Sequence, residues 1–257
     1  MINFHRILYI LISFSILASC QTLPEGVSPQ MATWLYGEHM LPPSLTQSGD
    51  AERYTPDLNK AAELEQVKRL IKPGTKAPAV IYMHGCAGIS DEAFNYQKMM
   101  LKHGHAFFIP NSFVRPGREK LCGQGGMSER VAMRQREAST ALKEIRKLDW
   151  IDQNKVILMG FSEGGNTTDS WYNDDFSALI VIGSACTNSG GSPSAPDNVP
   201  VLAIVGENDN YRPGLSCSIS RTIGGSKSII IKGADHWISD NNITRKSINK
   251  FLGECCS

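Results

Sequence analysis

The chain has 257 residues, of which 41% are hydrophobic and 20% are charged, and its formal net charge at pH 7 is +1. This length suits one α/β domain of ordinary size with an extension in front of it, and the composition is that of a globular protein. The nearly balanced charge gives no support to nucleic acid or an acidic polymer as a partner. No nucleic-acid partner is therefore predicted.

The beginning of the chain predicts export. An apolar run, ILYILISFSILA, occupies residues 7–18. It is too short to span a bilayer comfortably, so a signal peptide at 1–19 is favoured over a transmembrane helix. The run leads into LASC, which resembles a bacterial lipobox. Cys20 is therefore the predicted site of lipidation and the predicted mature N-terminus, and an ordinary secretory signal is the alternative.

Lipidation would hold the protein at a membrane. Several acyl chains anchor a protein firmly, whereas a single chain holds it only marginally. Gln21 is not the aspartate of an inner-membrane retention signal, which favours the outer membrane. The predicted location is the bacterial cell envelope, with the protein anchored at the outer membrane and facing the periplasm. Secretion is the alternative.

The cysteines of an exported chain are candidates for disulfides, because the compartment is oxidising. The chain has seven cysteines, so six remain without Cys20, and an even number suggests pairing. Their spacing includes no CxxC and no flanking histidine typical of zinc sites, so neither a metal nor a cofactor is predicted. The six are Cys86, Cys122, Cys186, Cys217, Cys255 and Cys256.

Composition divides the exported chain into two parts. Residues 20–56 are rich in Pro, Ser and Thr, most clearly in LPPSLTQSGD at 41–50, which predicts a tether or extension. The folded domain is predicted over residues 57–257. It opens with a helix at 57–70 that Pro73 and the glycine after it bring to an end.

Beyond residue 75, apolar strands alternate with amphipathic helices. Strands are predicted at 79–85, 105–113, 155–159, 176–184, 199–206 and 227–233, and helices at 91–104, at 128–148, from about 164 and at 241–252. The helix at 128–148 is predicted to keep its charges outside. This alternation predicts a mostly parallel sheet covered by helices on both faces, with the active site at the carboxyl ends of the strands. The short segment 185–198 leaves no room for a large lid.

A serine, an acid and a histidine follow three of these strands. Ser162 stands in GFSEGG at 160–165, where flanking glycines permit a tight strand-to-helix turn. The alternative for Ser162 is an ordinary hydroxyl in a turn. Asp209 and His236 follow later strands, and this chain order is that of the α/β-hydrolase fold. A serine needs an imidazole to take its proton, and the imidazole needs a carboxylate. The sequence therefore predicts a catalytic triad, with Glu207 as the alternative acid.

Acyl transfer also needs backbone N–H groups that bind the oxyanion. In this fold one comes from the residue after the nucleophile, here Glu163, and the other from a loop after an early strand, here Cys86. His84 precedes that loop, and its predicted role is to orient it. The oxyanion hole is therefore predicted at Cys86 and Glu163.

Several side chains near these motifs have roles that the sequence leaves open. Arg115 and Arg118 could bind a substrate carboxylate, with loop rigidity and surface pairing as the alternative. Trp237 could line the substrate pocket or serve packing. Tyr211 and Arg212 follow the predicted acid and are equally ambiguous. Arg115, Arg118 and Trp237 are the predicted substrate-binding residues.

A set of short motifs over residues 75–252 resembles the dienelactone hydrolase family, specifically its exported members with a serine nucleophile. The motifs are YMHGCAG, PNSFVRPGR, LCG, GFSEGG, GENDN and GADHW, together with the long arginine-containing helix. The resemblance implies an α/β-hydrolase fold, acyl hydrolysis, and the nucleophile, acid and base at Ser162, Asp209 and His236. Dienelactone hydrolases themselves carry cysteine as the nucleophile, and the serine here leaves acyl hydrolysis intact.

The resemblance also implies a disulfide between Cys86 and Cys122. A second disulfide, between Cys186 and Cys217, is predicted because these residues follow adjacent strands. For the adjacent pair at 255–256, a vicinal bridge, free thiols and an intermolecular link all remain open. The two predicted bridges would hold the loops nearest the nucleophile in place.

The predicted function is a monomeric, lipid-anchored serine hydrolase that cleaves a carboxylic ester or lactone through an acyl-enzyme. One alternative is a peptidase or polyester depolymerase of the same fold, although the propeller domain of such peptidases is absent from the sequence. The other is a non-catalytic envelope binding protein on a hydrolase scaffold. Loss of a triad residue would indicate the latter, and all three residue types are present.

Overall fold

The computed structural model describes residues 23–122 and 126–256. The predicted signal peptide at 1–19 and the predicted lipidation site at Cys20 lie outside the described residues. None of the described helices has the length and apolar character needed to cross a membrane.

The described residues form an eight-stranded sheet with the strand order β2-β1-β4-β3-β5-β6-β7-β8. The strands are β1 (Glu38–Leu41), β2 (Glu52–Arg53), β3 (Ala77–Met83), β4 (Ala106–Ile109), β5 (Ile151–Phe161), β6 (Ala178–Ile182), β7 (Val201–Gly206) and β8 (Lys227–Ile231). Strands β3 to β8 run parallel, and β1 and β2 add an antiparallel edge. The parallel part brings the carboxyl ends of β3, β5, β6, β7 and β8 to one edge, which is where ligands bind in such sheets.

Helices cover both faces of the sheet. They are α1 (Pro29–Leu35), α2 (Lys60–Leu70), α3 (Asp91–Lys102), α4 (Met127–Ile145), α5 (Glu163–Asp169) and α6 (Asn242–Cys255). Neighbouring strand residues point to opposite faces, so Ile81 packs in the core beneath α4, and Val80 packs in the core beneath α3 and α6. Ala141 of α4 belongs to the same core as Ile81, and Tyr96 of α3 belongs to the same core as Val80. Helices therefore cover the sheet from both sides.

The α/β alternation predicted beyond residue 57 is confirmed. The helix predicted at 128–148, for example, is α4, and its neighbours differ from their predicted bounds by only a few residues. Between β6 and β7 the helical structure is a single 3-10 turn at Thr187–Ser189. The predicted absence of a large lid in this segment is therefore also confirmed.

The boundary predicted at residue 57 is wrong, because most of the predicted tether belongs to the folded domain. Strand β1 pairs with β4, and α1 packs beside α4. Trp34, Leu41 and Tyr54 are buried in the main core. His39 is also buried, and its Nε2–H donates to the carbonyl of Trp34 at 2.8 Å. Met31, Trp34 and Leu35 do stand at helical spacing behind Ser28, the N-cap of α1, so this helix had a signal that the Pro- and Ser-rich composition concealed.

Three disulfides link the described residues. Cys86–Cys122 and Cys186–Cys217 form as predicted. The adjacent Cys255 and Cys256 form a vicinal bridge at the end of α6, which resolves the alternatives that the sequence left open. The first two bridges attach loops at the carboxyl edge of the sheet.

Candidate active site

Ser162 occupies a sharp turn between β5 and α5. Its backbone angles, φ 57° and ψ −113°, are unusual for a residue with a side chain. Such a conformation costs on the order of 1–3 kcal/mol, so it persists only where the surroundings impose it. The flanking glycines are required sterically: a Cβ at Gly160 would collide with the carbonyl of Gly164, and one at Gly164 would collide with the carbonyl of Met83. The turn therefore presents the serine at the edge of the sheet.

His236 and Asp209 form a buried pair beside this turn. The Nδ1–H of His236 donates to Oδ2 of Asp209 at 2.6 Å, and both side chains are almost fully buried. Burial alone would raise the pKa of Asp209, but the hydrogen bonds from His236 and from the backbone N–H of Tyr211 outweigh it and hold that pKa below its usual value. The aspartate is therefore ionised and fixes the imidazole with Nε2 free for proton transfer.

Aromatic rings hold the imidazole in place. The rings of Phe161 and Tyr211 both lie 4.7 Å from that of His236, measured between centroids, and the indole of Trp237 lies 5.7 Å from it. Gly183 allows the ring to approach the backbone after β6, since a Cβ there would lie 3.0 Å from Cε1 of the imidazole. Trp237 itself is 56% exposed, so it forms part of the rim rather than the core.

Ser162 and His236 line the same small cavity, which has a volume of about 40 Å³. Cys86, Tyr211 and Trp237 also face it. The hydroxyl of Ser162 makes no hydrogen bond to another described residue. Hydrogen bonds of this kind often tighten only when a substrate is bound. The serine, histidine and aspartate predicted from the sequence are therefore brought together at one edge of the sheet.

The two predicted oxyanion donors also lie beside Ser162. Cys86 lines the cavity, and Glu163 is the first residue of α5, where backbone N–H groups have no intrahelical acceptor. Burial, reinforced by Arg134, holds the pKa of His84 well below its usual value, so its ring is neutral. The ring donates from Nδ1 to the carbonyl of Gly85 at 2.8 Å and orients the loop that carries Cys86.

The carboxylate of Glu163 does not face the solvent but a buried group of arginines. Arg118 pairs with Oε1, Arg130 donates to Oε2 at 3.0 Å, and Arg134 lies 3.5 Å from Oε1. The arginine side chains are at most 8% exposed, and that of Glu163 is 1% exposed. A charge pair this deeply buried is strongly destabilising to break, because the remaining partner keeps its charge without solvent.

A second buried glutamate extends this cluster. Glu137 of α4 lies 3.2 Å from Arg134 and 3.5 Å from Arg115, and its Oε1 accepts a hydrogen bond from the hydroxyl of Ser112 at 3.0 Å. Burial raises the pKa of Glu137, and these two arginines oppose that effect only in part. Arg118 is thus paired with Glu163, whereas Nη1 of Arg115 has no hydrogen-bond partner among the described residues. The substrate-binding role of Arg115 and Arg118 stays a prediction.

Helix α4 supplies residues that the sequence did not place in the site. Arg130, Arg134, Glu137 and Glu144 are buried, so the prediction that this helix keeps its charges outside is wrong. Arg130, Arg134 and Glu137 are three or four residues apart and so share one face of the helix. This spacing was the sequence feature that could have indicated a buried charge cluster. Charges on one helical face are, however, far more often solvated than buried.

A second, larger cavity also has Ser162 in its wall. Its volume is about 150 Å³, and it shares Ser162, Cys86 and Tyr211 with the small cavity. Asn166 and Arg212 face the larger cavity. Leu121 and Met127 line it as well, so its wall is mixed, whereas aromatic rings surround the small cavity.

Another buried carboxylate lies at the far end of α5. Asp169 accepts hydrogen bonds from the hydroxyls of Ser184 at 2.5 Å and Ser170 at 2.9 Å, and burial raises its pKa to about 6. The sulfur atoms of Cys186 and Cys217 lie close to it. Because those cysteines are joined in a disulfide, they offer no thiolate, and this group does not make a ligand set for a soft metal.

Comparisons with known proteins define the fold. No protein-family model matches the sequence, and no curated protein matches it. Est1E from Butyrivibrio proteoclasticus, in its complex with ferulic acid, has a similar structure at a TM-score of 0.53 and 16% identity, over 70% of this chain and 90% of that one. Esterase PE8 is similar at a TM-score of 0.50 and 17% identity, over 71% of this chain and 94% of that one. The chain has the α/β-hydrolase fold.

Proposed function

We propose that this protein is a serine hydrolase that cleaves carboxylic esters or lactones through an acyl-enzyme intermediate. The observation that carries the proposal is the buried hydrogen bond of 2.6 Å between His236 and Asp209, beside the strained turn at Ser162. The esterases of similar fold agree with this chemistry. The motif resemblance to the exported dienelactone hydrolases supports the same reaction class.

In the first half-reaction, Oγ of Ser162 attacks the ester carbonyl while Nε2 of His236 takes the hydroxyl proton. Asp209 stabilises the imidazolium that forms. The negative charge on the carbonyl oxygen is bound by the N–H groups of Cys86 and Glu163. The carbonyl–oxygen single bond then breaks, and the leaving alcohol takes the proton from the imidazolium.

In the second half-reaction, a water molecule attacks the acyl-serine. His236 takes a proton from the water, and the same backbone N–H groups bind the second oxyanion. Collapse of this intermediate releases the carboxylic acid, and the proton returns to Oγ of Ser162. No redox step and no co-reactant other than water is needed.

The proposal places this activity in the bacterial cell envelope, with Cys20 lipidated and the folded domain facing the periplasm. The lipobox-like LASC at the end of the apolar run supports this location. Metabolic labelling with a radioactive fatty acid tests it: the wild-type chain should be labelled, and Cys20→Ser should not.

The experiment for the reaction itself is the replacement of the nucleophile. We expect Ser162→Ala to lower kcat/KM for 4-nitrophenyl acetate by at least about a thousandfold, because the variant lacks the hydroxyl on which the proposed acyl-enzyme forms. A fluorophosphonate probe should label the wild-type protein at Ser162 alone.

The matched control is Ser220→Ala, a substitution of an exposed serine away from the site. It should retain wild-type turnover and labelling. Wild-type turnover in a folded Ser162→Ala variant, or labelling at a different serine, would show that the proposed nucleophile is wrong.

A further inference from the structure

The two cavities that meet at Ser162 differ in their walls. The small cavity of about 40 Å³ is the one that His236 and Trp237 face. The larger cavity of about 150 Å³ is the one that Asn166 and Arg212 face. An ester bound with its carbonyl carbon at Ser162 would therefore extend its two ends into different surroundings.

The position of His236 decides which end goes where. The leaving alcohol must take its proton from Nε2 of this imidazole, so the alcohol oxygen has to lie on the histidine side of the nucleophile. The acyl group stays bonded to Ser162 and points the other way. His236 lines the small cavity and not the larger one, so the larger cavity is the acyl pocket and the alcohol passes over the aromatic rim.

Arg212 gives the acyl pocket a positive charge. Its Nη1 donates to the carbonyl of Tyr211 at 2.7 Å, and among the described residues it has no carboxylate within ion-pair distance. Glu163 is the carboxylate that lines the same pocket, but its oxygens are engaged by the buried arginines described above. The guanidinium of Arg212 is thus available to a ligand, and its planar fork suits a carboxylate.

Resting on the proposed function, we infer that Arg212 selects esters whose acyl part is short and ends in a carboxylate. A volume of about 150 Å³ is below the roughly 300–1,000 Å³ of sites for drug-sized ligands, so the cavity suits a short acyl part. The substrate class is the monoester of a small dicarboxylic acid. Attack by Ser162 breaks the ester bond, the alcohol leaves with the proton from His236, and water releases the dicarboxylate from the serine.

The test compares two esters that differ in charge and not in shape. Ethyl hydrogen succinate carries the terminal carboxylate, and ethyl succinamate carries a neutral amide in its place. Ethanol release is measured for the wild-type protein, Arg212→Gln, Arg212→Lys and the control Arg245→Gln, which removes an arginine that is 45% exposed and lies on α6.

We expect the wild-type protein to favour the succinate monoester by about tenfold in kcat/KM, and Arg212→Gln to bring the ratio of the two esters close to one. Arg212→Lys should keep part of the ratio, because lysine retains the charge and loses the bidentate fork. Arg245→Gln should keep all of it. Added salt should lower the wild-type ratio, since the arginine is partly exposed.

The inference is overturned if the wild-type ratio is one or lower, or if Arg212→Gln leaves the ratio unchanged. Hydrolysis of 4-nitrophenyl acetate with no turnover of either ethyl ester would also overturn it. Each of these outcomes leaves the serine hydrolase itself intact. Failure of the proposed function looks different, because neither turnover of 4-nitrophenyl acetate nor probe labelling at Ser162 would then be seen.

Discussion

Buried carboxylates lie on two sides of Ser162, and the protein holds them by different means. On the histidine side, Asp209 accepts from one imidazole at 2.6 Å and from a backbone N–H at 2.8 Å. On the arginine side, Glu163 is held by guanidinium groups, among them those of Arg118 and Arg130. An imidazole can gain and lose a proton near neutral pH, whereas a guanidinium keeps its charge. In the proposed mechanism, proton transfer therefore belongs to the histidine side and fixed positioning to the arginine side.

The arginine side also connects the two proposed oxyanion donors. The loop after β4 carries Arg118, which pairs with Glu163, and continues to Cys122, which is bonded to Cys86. One loop is thus tied to both segments that supply a backbone N–H. Backbone donors stabilise an oxyanion best when their positions are fixed before the reaction. The double attachment would therefore favour catalysis, although the loop takes no part in the chemistry.

The largest effect is expected from a change on the histidine side that keeps its shape. Asp209→Asn removes the charge that stabilises the imidazolium and favours the wrong tautomer of His236. We expect kcat for 4-nitrophenyl acetate to fall by about ten-thousandfold, with the fold retained. Steady-state kinetics together with circular dichroism provide the measurement.

The control for this variant is Glu207→Gln, because Glu207 is the alternative acid in the same turn. Its Oε2 accepts a hydrogen bond from the backbone N–H of Gly233 at 2.8 Å, so we expect only a structural effect, within about threefold in kcat. If kcat fell further in Glu207→Gln than in Asp209→Asn, Glu207 and not Asp209 would be the acid that pairs with His236.

The two sides also differ in how well they could be predicted. Ser162, Asp209 and His236 each follow an apolar strand, and parallel strands end at one edge, so the chain order alone placed them together. The arginine side depends on how α4 lies across the sheet. The pattern of Arg134 and Glu137 on one helical face looks the same whether that face meets solvent or a second set of charges.

The N-terminal segment escaped prediction for a related reason. Strand β1 spans Glu38–Leu41, and its burial alternates so that two of its residues face inward. A strand this short is too brief for its alternation of apolar and polar residues to be recognised in a segment rich in Pro and Ser. Its pairing with β4 is a long-range contact that only the assembled sheet provides. Long, apolar parallel strands were predictable, and a short antiparallel edge was not.

The next effect concerns the arginine side. Arg118→Gln removes one attachment of the loop and leaves the carboxylate of Glu163 less compensated. We expect kcat to fall by about tenfold to a hundredfold with little change in KM, because the oxyanion donors lose their exact spacing and the substrate contacts remain. The inhibition constant of a boronic acid that mimics the tetrahedral intermediate should rise in parallel with the loss in kcat/KM.

Breaking this buried pair should also cost about 3–5 kcal/mol of unfolding free energy, so kinetics are measured well below the new Tm. Arg53→Gln is the matched control, since Arg53 pairs with Glu38 at 2.6 Å on the surface, where its side chain is 60% exposed. That variant should change neither kcat nor stability appreciably. A lower Tm for Arg118→Gln with unchanged kcat and unchanged inhibitor binding would make the arginine side purely structural.

The smallest effect comes from Asp169, a buried carboxylate that has neither an imidazole nor a guanidinium partner among the described residues. Burial raises its pKa from 3.8 to about 6, so between these values the folded state binds a proton that the unfolded state has released. Stability contributed by this group is therefore present at low pH and is lost as the pH rises from about 4 to about 6. The loss amounts to on the order of 3 kcal/mol above pH 6.

Asp169→Asn keeps the shape and the acceptor oxygen but cannot ionise, so it should unfold at higher urea concentration than the wild type at pH 7.5. At pH 4.5 the difference should shrink. Comparing variant with wild type at each pH is essential, because burial lowers the pKa of His39 and His105 to about 4, and their protonation destabilises the fold in the same pH range. Asp174→Asn, at an exposed position, should show no such pH-dependent gain. If the variant and the wild type differed in urea stability by the same amount at both pH values, ionisation of Asp169 would not destabilise the fold. The hydroxyls around Asp169 would then compensate its charge as fully as the arginines compensate that of Glu163.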